Sequence, residues 1–351
     1  MAQATQNTVA GNGSGKWANA QTADGSLYVW IPRYTYKITS GEHGSGESWN
    51  SLDSKGSNKI EIKFSNVVSD NTNDGYMLHP AFAFGKDDLE GIWVAKYEAS
   101  QGTTTSEVDK PTASSYVLQS KPDERSWTDI SASLKYEYAY NAFRSADSHM
   151  MRNSEWGAVA YLTNAIGRIP YINNASNGYT GQSGASQDET SSYSGTSWNT
   201  TPGVKASTTH NVYGIYDMSG GNYEVVAAYW PKTYSESSLA NDVSNKKYAG
   251  SLYANRNTKY VEVYDAPYIS RVKGDAIYET SGGHDRGAMS SDGSLSWDDD
   301  ESYTGSSYNN ESAIWIRGGG YSDGSRAGLF AFKLYSGNNY NAFRAVLAIM
   351  P

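Results

Sequence analysis

The sequence predicts an α+β fold of short strands, few helices and long polar loops, and three observations lead there. Apolar and polar residues alternate with period two at Tyr34–Ile38 and Ile60–Phe64, as half-buried strands do. One stretch, 153–163, instead spaces Trp156, Val159, Ala160 and Tyr161 as a helix does. Thirty-five glycines against nine prolines ask for many tight turns in an ordered chain.

Taken in order, residues 1–24 are small and polar and predict a flexible lead-in. Leu27–Ile31 is the first strand signal, closed by Pro32, and Tyr34–Ile38 is the second. A Gly/Ser-rich loop covers 40–57, Ile60–Phe64 alternates again, and Gly91–Tyr97 has the apolar content of a buried strand. The helix at 153–163 has Asn153 or Ser154 as its candidate cap. Residues 173–208 are almost wholly Asn, Ser, Gly and Thr, which predicts a solvated excursion. Val212–Met218 is a second ordered block. Between 231 and 312, strand signals such as Tyr260–Tyr264 alternate with polar loops, and 314–349 closes the chain with an apolar ending. Tyr140–Arg144 recurs word for word as Tyr340–Arg344, but the flanks differ and the repeat is treated as coincidence.

Composition excludes several functions. The net charge is −9 and no Lys/Arg run exceeds two residues, which argues against a nucleic-acid partner. The absence of cysteine removes disulfides, thiolate nucleophiles and Cys-type metal sites together. No window approaches the ~18 apolar residues of a membrane span, and no signal peptide is visible at the start. Twenty-nine tyrosines and ten tryptophans against seven phenylalanines give most aromatic rings a polar handle, suited to surfaces as much as to cores.

Five segments in order resemble the formylglycine-generating-enzyme/sulfatase-modifying family: Leu27–Thr35, Trp93–Ser100, Met151–Leu162, Asn211–Val226 and Ile316–Leu347. Asn211–Val226 (NVYGIYDMSGGNYEVV) is the most specific of them. The resemblance implies a C-type lectin-like fold of the formylglycine-generating-enzyme type, with short twisted strands, about two helices and long irregular loops. It implies one domain over 25–351, interrupted by polar insertions near 173–208 and 231–312. Asp217 and Glu224, flanked by aromatics, are expected as buried hydrogen-bond acceptors, with Arg317 and Arg344 satisfying carboxylates or carbonyls.

That family's oxidase chemistry needs a cysteine pair, which this chain lacks. Its five histidines (His43, His79, His149, His210, His284) are scattered and show no metal-ligand spacing. Gly11–Lys16 imitates a phosphate loop, but Trp17 stands where Ser or Thr is needed. Asp70–Gly75 imitates a calcium loop without its closing Glu. The acidic run Trp297–Glu301 suits either a cation or plain solvation. The expectation is a protein that is not an enzyme and has no catalytic residue, no metal site and no cofactor. The resemblance does allow a structural calcium ion.

The last segment resembles a narrower group, the variable proteins of diversity-generating retroelements. Arg317-Gly318-Gly319, Ala327-Gly328, Phe330 and Phe343-Arg344 match its fixed scaffold. Between them stand Gly320, Ser322, Asp323, Arg326, Tyr335 and Ser336, residue types that adenine mutagenesis of asparagine codons yields. Lys333 and Ala342 depart from the pattern. Residues 317–347 are therefore the expected variable region, with Gly320, Tyr321, Ser322, Asp323, Arg326, Tyr335, Ser336 and Tyr340 as ligand-binding residues on one exposed patch. Tyr, Ser, Gly and Asn are also what antibodies concentrate in their loops, tyrosine giving wide contact at low entropy cost. The implied role is attachment to a protein or glycan receptor on another cell, with no nucleic-acid partner and no membrane insertion. Display would be extracellular, on a bacterial surface or a phage virion. The alternative is a surface, pilus or phage-tail component with a fixed face.

Overall fold

The structure, a computed structural model, describes residues 16–42, 56, 59–65, 74–101, 117–184, 195–229, 250–264, 272–281, 294–303, 314–335 and 340–348. It is α+β, with sheets that are mostly antiparallel and, among the described residues, two longer α-helices and a helical turn at 250–254. A five-stranded sheet runs β1 (Asn19–Gln21), β2 (Leu27–Pro32), β8 (Gly91–Ala95), β16 (Ala345–Leu347), β9 (His149–Met150). A six-stranded sheet runs β11 (Glu262–Val263), β10 (Glu224–Tyr229), β14 (Ile314–Arg317), β15 (Phe332–Tyr335), β13 (Glu301–Tyr303), β12 (Ser294–Leu295). β3 (Tyr34–Ser40) is flanked by β4 (Lys59–Phe64) and β5 (Met77–Leu78), and β6 (Ala83–Phe84) pairs with β7 (Asp87–Asp88). The first and last long-range strands thus share a sheet, both pairing with β8.

Alternation does the work expected of it. In β10, Val226 and Ala228 enter the main core, while Val225, Ala227 and Tyr229 enter a second core on the other face. β14 and β15 continue the rule: Trp315, Phe332 and Leu334 face the main core, Ile314 and Ile316 the second. The six-stranded sheet is therefore covered on both sides. In the other sheet Trp30 lies opposite Trp93, ring centroids 5.2 Å apart, a cross-strand pair that helps fix the register.

Helix α2 (Asn153–Ala165) sits in the main core and is buried on every side from Asn153 to Thr163. Its cap is Arg152, not Asn153 or Ser154. Glu155 reaches back to accept from the Arg152 N–H at 2.8 Å and meets His149 Nε2 at 2.9 Å. Burial opposes the charge on Glu155, but Arg152 and His149 outweigh it and hold its pKa down at about 2. Gly157 is required here, because a Cβ on it would lie 2.0 Å from the Gly274 carbonyl oxygen.

One helix is new and three further expectations are corrected. Helix α1 (Ala132–Ala142) has no counterpart in the sequence reading; Ala132, Lys135, Tyr136 and Ala139 form its buried stripe. A lysine inside the stripe and an alternating Tyr-Glu-Tyr-Ala-Tyr run hide the helical period. Lys135 donates to the Ile130 carbonyl, and burial lowers its pKa to about 7. The lead-in does not extend to residue 24: Trp17 is buried and β1 pairs with β2. Within 173–208, Asn173, Asn174, Thr180, Ser183 and Ser207 are buried, so the described part is packed loop and not solvated excursion. Polarity here serves loop-to-core hydrogen bonds. Finally, the strand signal at Tyr260–Tyr264 yields only Glu262–Val263; the ordered block expected at Val212–Met218 is there, built of turns and bends.

Candidate binding face

The frame of the C-terminal segment is set by two buried arginines. Arg317 ends β14 and donates to the carbonyls of Ala331 (3.1 Å), Asp275 (2.9 Å) and Ala276 (2.9 Å) and to Asn153 Oδ1 (3.3 Å). Burial lowers its pKa to about 10 despite the nearby Asp275. Arg344 precedes β16; its Nε donates to Glu224 Oε2 at 2.7 Å and its Nη2 pairs with Glu224 Oε1. It also donates to the Ala95 and Tyr216 carbonyls, each at 3.0 Å. Asp217 and Glu224 are each 1% exposed, and both act as acceptors.

Between these anchors the chain turns outward. The Gly318 oxygen accepts from the Gly220 and Gly328 N–H groups, both at 3.0 Å, which pins the base of the 319–327 loop to the 220–223 turn. Tyr321 N–H donates to the Gly221 oxygen at 2.8 Å. On the other side of that turn, Ala342 N–H donates to Tyr223 O (2.7 Å) and Val225 N–H to Ala342 O (2.9 Å). Ala342 is fully buried in this bridge.

The predicted site residues fall unevenly. Tyr340 is 71% exposed, Ser322 and Arg326 are exposed, and Tyr321, Asp323 and Tyr335 are half-buried. Phe330, Phe343 and Arg344 lie fully buried beneath the segment. Ser336 lies outside the described residues. Gly320 is a correction: it is buried, with its N–H donated to Asp323 Oδ2 at 2.8 Å. A Cβ there would lie 3.2 Å from the Tyr223 ring, so Gly320 offers no side chain to a partner.

Several neighbours were not foreseen from the sequence. Tyr223 donates to Asp323, lies 3.2 Å from Glu301 Oε2 and accepts from Lys333. Lys333 in turn pairs with Glu301 at 2.7 Å and sits 4.6 Å over the Tyr223 ring. Burial and the two carboxylates push the Tyr223 hydroxyl far above its ordinary pKa. Lys333, one of the two departures from the variable pattern, is thus a built-in part of the floor. Tyr179, 39% exposed, joins from the far side through Asn173, whose Nδ2 donates to the Tyr179 oxygen at 3.0 Å and whose own carbonyl accepts from Gly221 N–H at 2.6 Å. The run Asn177-Gly178-Tyr179 has the loop composition used for the C-terminal argument, and that signal would have found it.

The three described histidines do not converge. His79 is buried against Tyr34, Tyr36 and Tyr161, and burial lowers its pKa to about 3; His149 holds Glu155; His210 bonds the Ile169 oxygen. His43 and His284, the phosphate-loop look-alike before Lys16 and the Asp70–Asn73 part of the calcium-loop look-alike lie outside the described residues. In the acidic run, Asp300 accepts from Phe330 N–H at 2.7 Å. Among the described residues, no group of three or more His, Asp or Glu is arranged to hold a metal, and no helix is long and apolar enough to cross a membrane. No protein-family model and no curated protein matches this chain.

Proposed function

We propose that this chain is a non-catalytic ligand-binding protein built on a C-type lectin-like scaffold of the formylglycine-generating-enzyme type. Its region 317–347 is a retroelement-diversified face displayed on a bacterial surface or phage virion, and it attaches to a protein or glycan receptor on another cell. The observation that carries this reading is the split within one segment. Of the expected ligand-binding positions, Tyr321, Ser322, Asp323, Arg326, Tyr335 and Tyr340 are exposed or half-buried and Gly320 is buried, while the expected anchors Arg317, Ala327, Phe330, Phe343 and Arg344 are buried. A side chain free to change cannot sit in a close-packed interior, and a fixed anchor should. Exposed tyrosines that a partner desolvates are suited to be hot spots, each worth roughly 2 kcal/mol or more.

The scaffold reading is supported by β2 and β16 sharing a sheet through β8. The test is capture of whole bacterial cells, scored by flow cytometry, with a Tyr321→Ala/Tyr335→Ala/Tyr340→Ala variant beside the parent. Lost capture at an unchanged melting temperature supports the face; unfolding of the variant, or undiminished capture, removes it. In the genome, a near-copy of the DNA encoding 317–347, differing at adenines and beside a reverse transcriptase, is the expected companion.

A second reading has its own observation. Asp323 is fastened by Tyr223 and by the Gly320 N–H, and a position so built in suits a fixed face on a surface, pilus or phage-tail component. Sequencing the locus across isolates separates the two: invariance at 322, 323 and 326 favours the fixed component.

A further inference from the structure

Beneath the tyrosine face lies a charge imbalance. Glu98, Asp217 and Glu224 are 0%, 1% and 1% exposed, and among the described residues Arg344, also 0% exposed, is the cation that faces them. Arg344 neutralises Glu224 directly through two guanidinium nitrogens. Asp217 accepts from Gly181 N–H (2.8 Å) and Asn173 Nδ2 (2.9 Å) and also from the Glu98 backbone, donors that favour its ionised form. Glu98 has the weakest claim to a charge. Its Oε1 accepts from Asn222 N–H at 2.9 Å, and its Oε2 meets the Ser126 hydroxyl, which can turn and accept a proton from it. The adjoining Tyr97 and Tyr216 rings are neutral, and Lys96 points elsewhere, to Asn19 and the Val212 carbonyl.

Three ionised carboxylates against one guanidinium would leave two negative charges uncompensated in a buried site, and a buried group in that position binds a proton instead. We propose that the folded protein retains a proton on Glu98, and that this proton holds the 219–224 turn and the tyrosines around it in place. The linkage is short. Gly221 (φ 74°) packs so closely on Glu98 that a Cβ there would lie 2.7 Å from Oε1. Its oxygen holds Tyr321, while Asn173 joins Asp217 to both the Gly221 N–H and the Tyr179 carbonyl. An ionised Glu98 repels Asp217 and Glu224 from beneath this turn.

Burial, then Asp217 and Glu224, push the Glu98 carboxyl well above the ordinary range. Burial also raises Asp217, and it lifts Glu224 to about 6 even against Arg344. A carboxyl raised on folding binds its proton more tightly in the folded chain. Its contribution is complete below the ordinary value of 4.5 and is lost as pH climbs through the raised one. The face is therefore firm in mild acid and loosens as the medium becomes neutral to alkaline.

The consequence for partner capture rests on the tyrosine-face reading, whereas the proton does not. Hydrogen exchange on the intact chain, with no ligand, tests the proton alone. From pH 5 to 8, after correction for intrinsic rates, protection of peptides spanning 219–224 is expected to fall about tenfold or more. Glu98→Gln, which copies the neutral acid's shape and bonding, should hold that protection flat. Asp275→Asn, which removes a raised carboxyl elsewhere (pKa about 7), should leave the fall intact. A flat parent, a fall that persists in Glu98→Gln, or an unfolded Glu98→Gln overturns the proposal. Asp217→Asn gives a second check, since removing that neighbour should shift the fall to lower pH.

Discussion

The pentapeptide Tyr-Asn-Ala-Phe-Arg occurs twice and folds in two opposite ways. At 140–144 it closes helix α1 and enters a short 3-10 turn. Asn141 and Arg144 are exposed there, Phe143 is half-buried, and Arg144 stacks 3.7 Å above the Tyr140 ring. At 340–344 it is an extended lead into β16, with Tyr340 at 71% exposure and Ala342, Phe343 and Arg344 at 0%. The same five side chains are thus turned nearly inside out. What differs is the company. Ser131 caps the first copy's helix by accepting from Leu134 N–H at 3.3 Å, whereas the second copy runs beside β10 and finds Glu224 waiting for its arginine. Local propensity is a weak prior that long-range partners override.

The largest break in this comparison should come at the arginines. Arg344→Ala leaves Glu224 buried without its cation and is expected to cost about 3–5 kcal/mol by urea denaturation. Arg144→Ala, in the same pentapeptide, should leave the midpoint where it was. If the two variants behave alike, the burial contrast is wrong. Phe343→Ala comes next at about 3–5 kcal/mol as a core aromatic truncation against Trp127. Phe143→Ala should cost clearly less, because that ring is half-buried and touches Tyr28 at its edge. A smaller effect sharpens the first copy alone: Ser131→Ala should cost about 1 kcal/mol through the lost cap and reduce exchange protection in 132–142 without changing it in 345–347. The smallest expected change is in Tyr340→Ala, whose melting temperature should match the parent's.

Much of the framework was legible because it is written in local periodicity. Leu27–Ile31, Tyr34–Ile38, Ile60–Phe64 and the helix at 153–163 all announce themselves by spacing. Asp217, Glu224, Arg317 and Arg344 were recognisable as interior polar residues because motif and aromatic flanks mark them. Glu98 was not, since nothing in Lys-Tyr-Glu-Ala-Ser says that this carboxyl will be sealed away. Its partners come from residues 126, 217 and 222, and such distant pairings leave no trace in a window of a few residues. The same holds for Tyr223, which meets Asp323 and Glu301 across 100 and 78 positions. Gly320 misled for the opposite reason: its type fits a variable position, but only the fold reveals the ring lying over it.

The shared sheet also sets how the molecule bears load. β2 and β16 are each antiparallel to β8, so they run in the same direction. A pull that draws the chain back from Leu27 and forward from Leu347 therefore drags them along β8 in opposite senses. Ladder hydrogen bonds lie across the strands, and this geometry strains them together in shear instead of opening them one by one. β1, joined to β2 by a three-residue register, peels away first. Under tension a protein held at one end while gripping through its face would resist as a clasp does. A single-molecule pulling trace should show one steep rupture after an early, weak one.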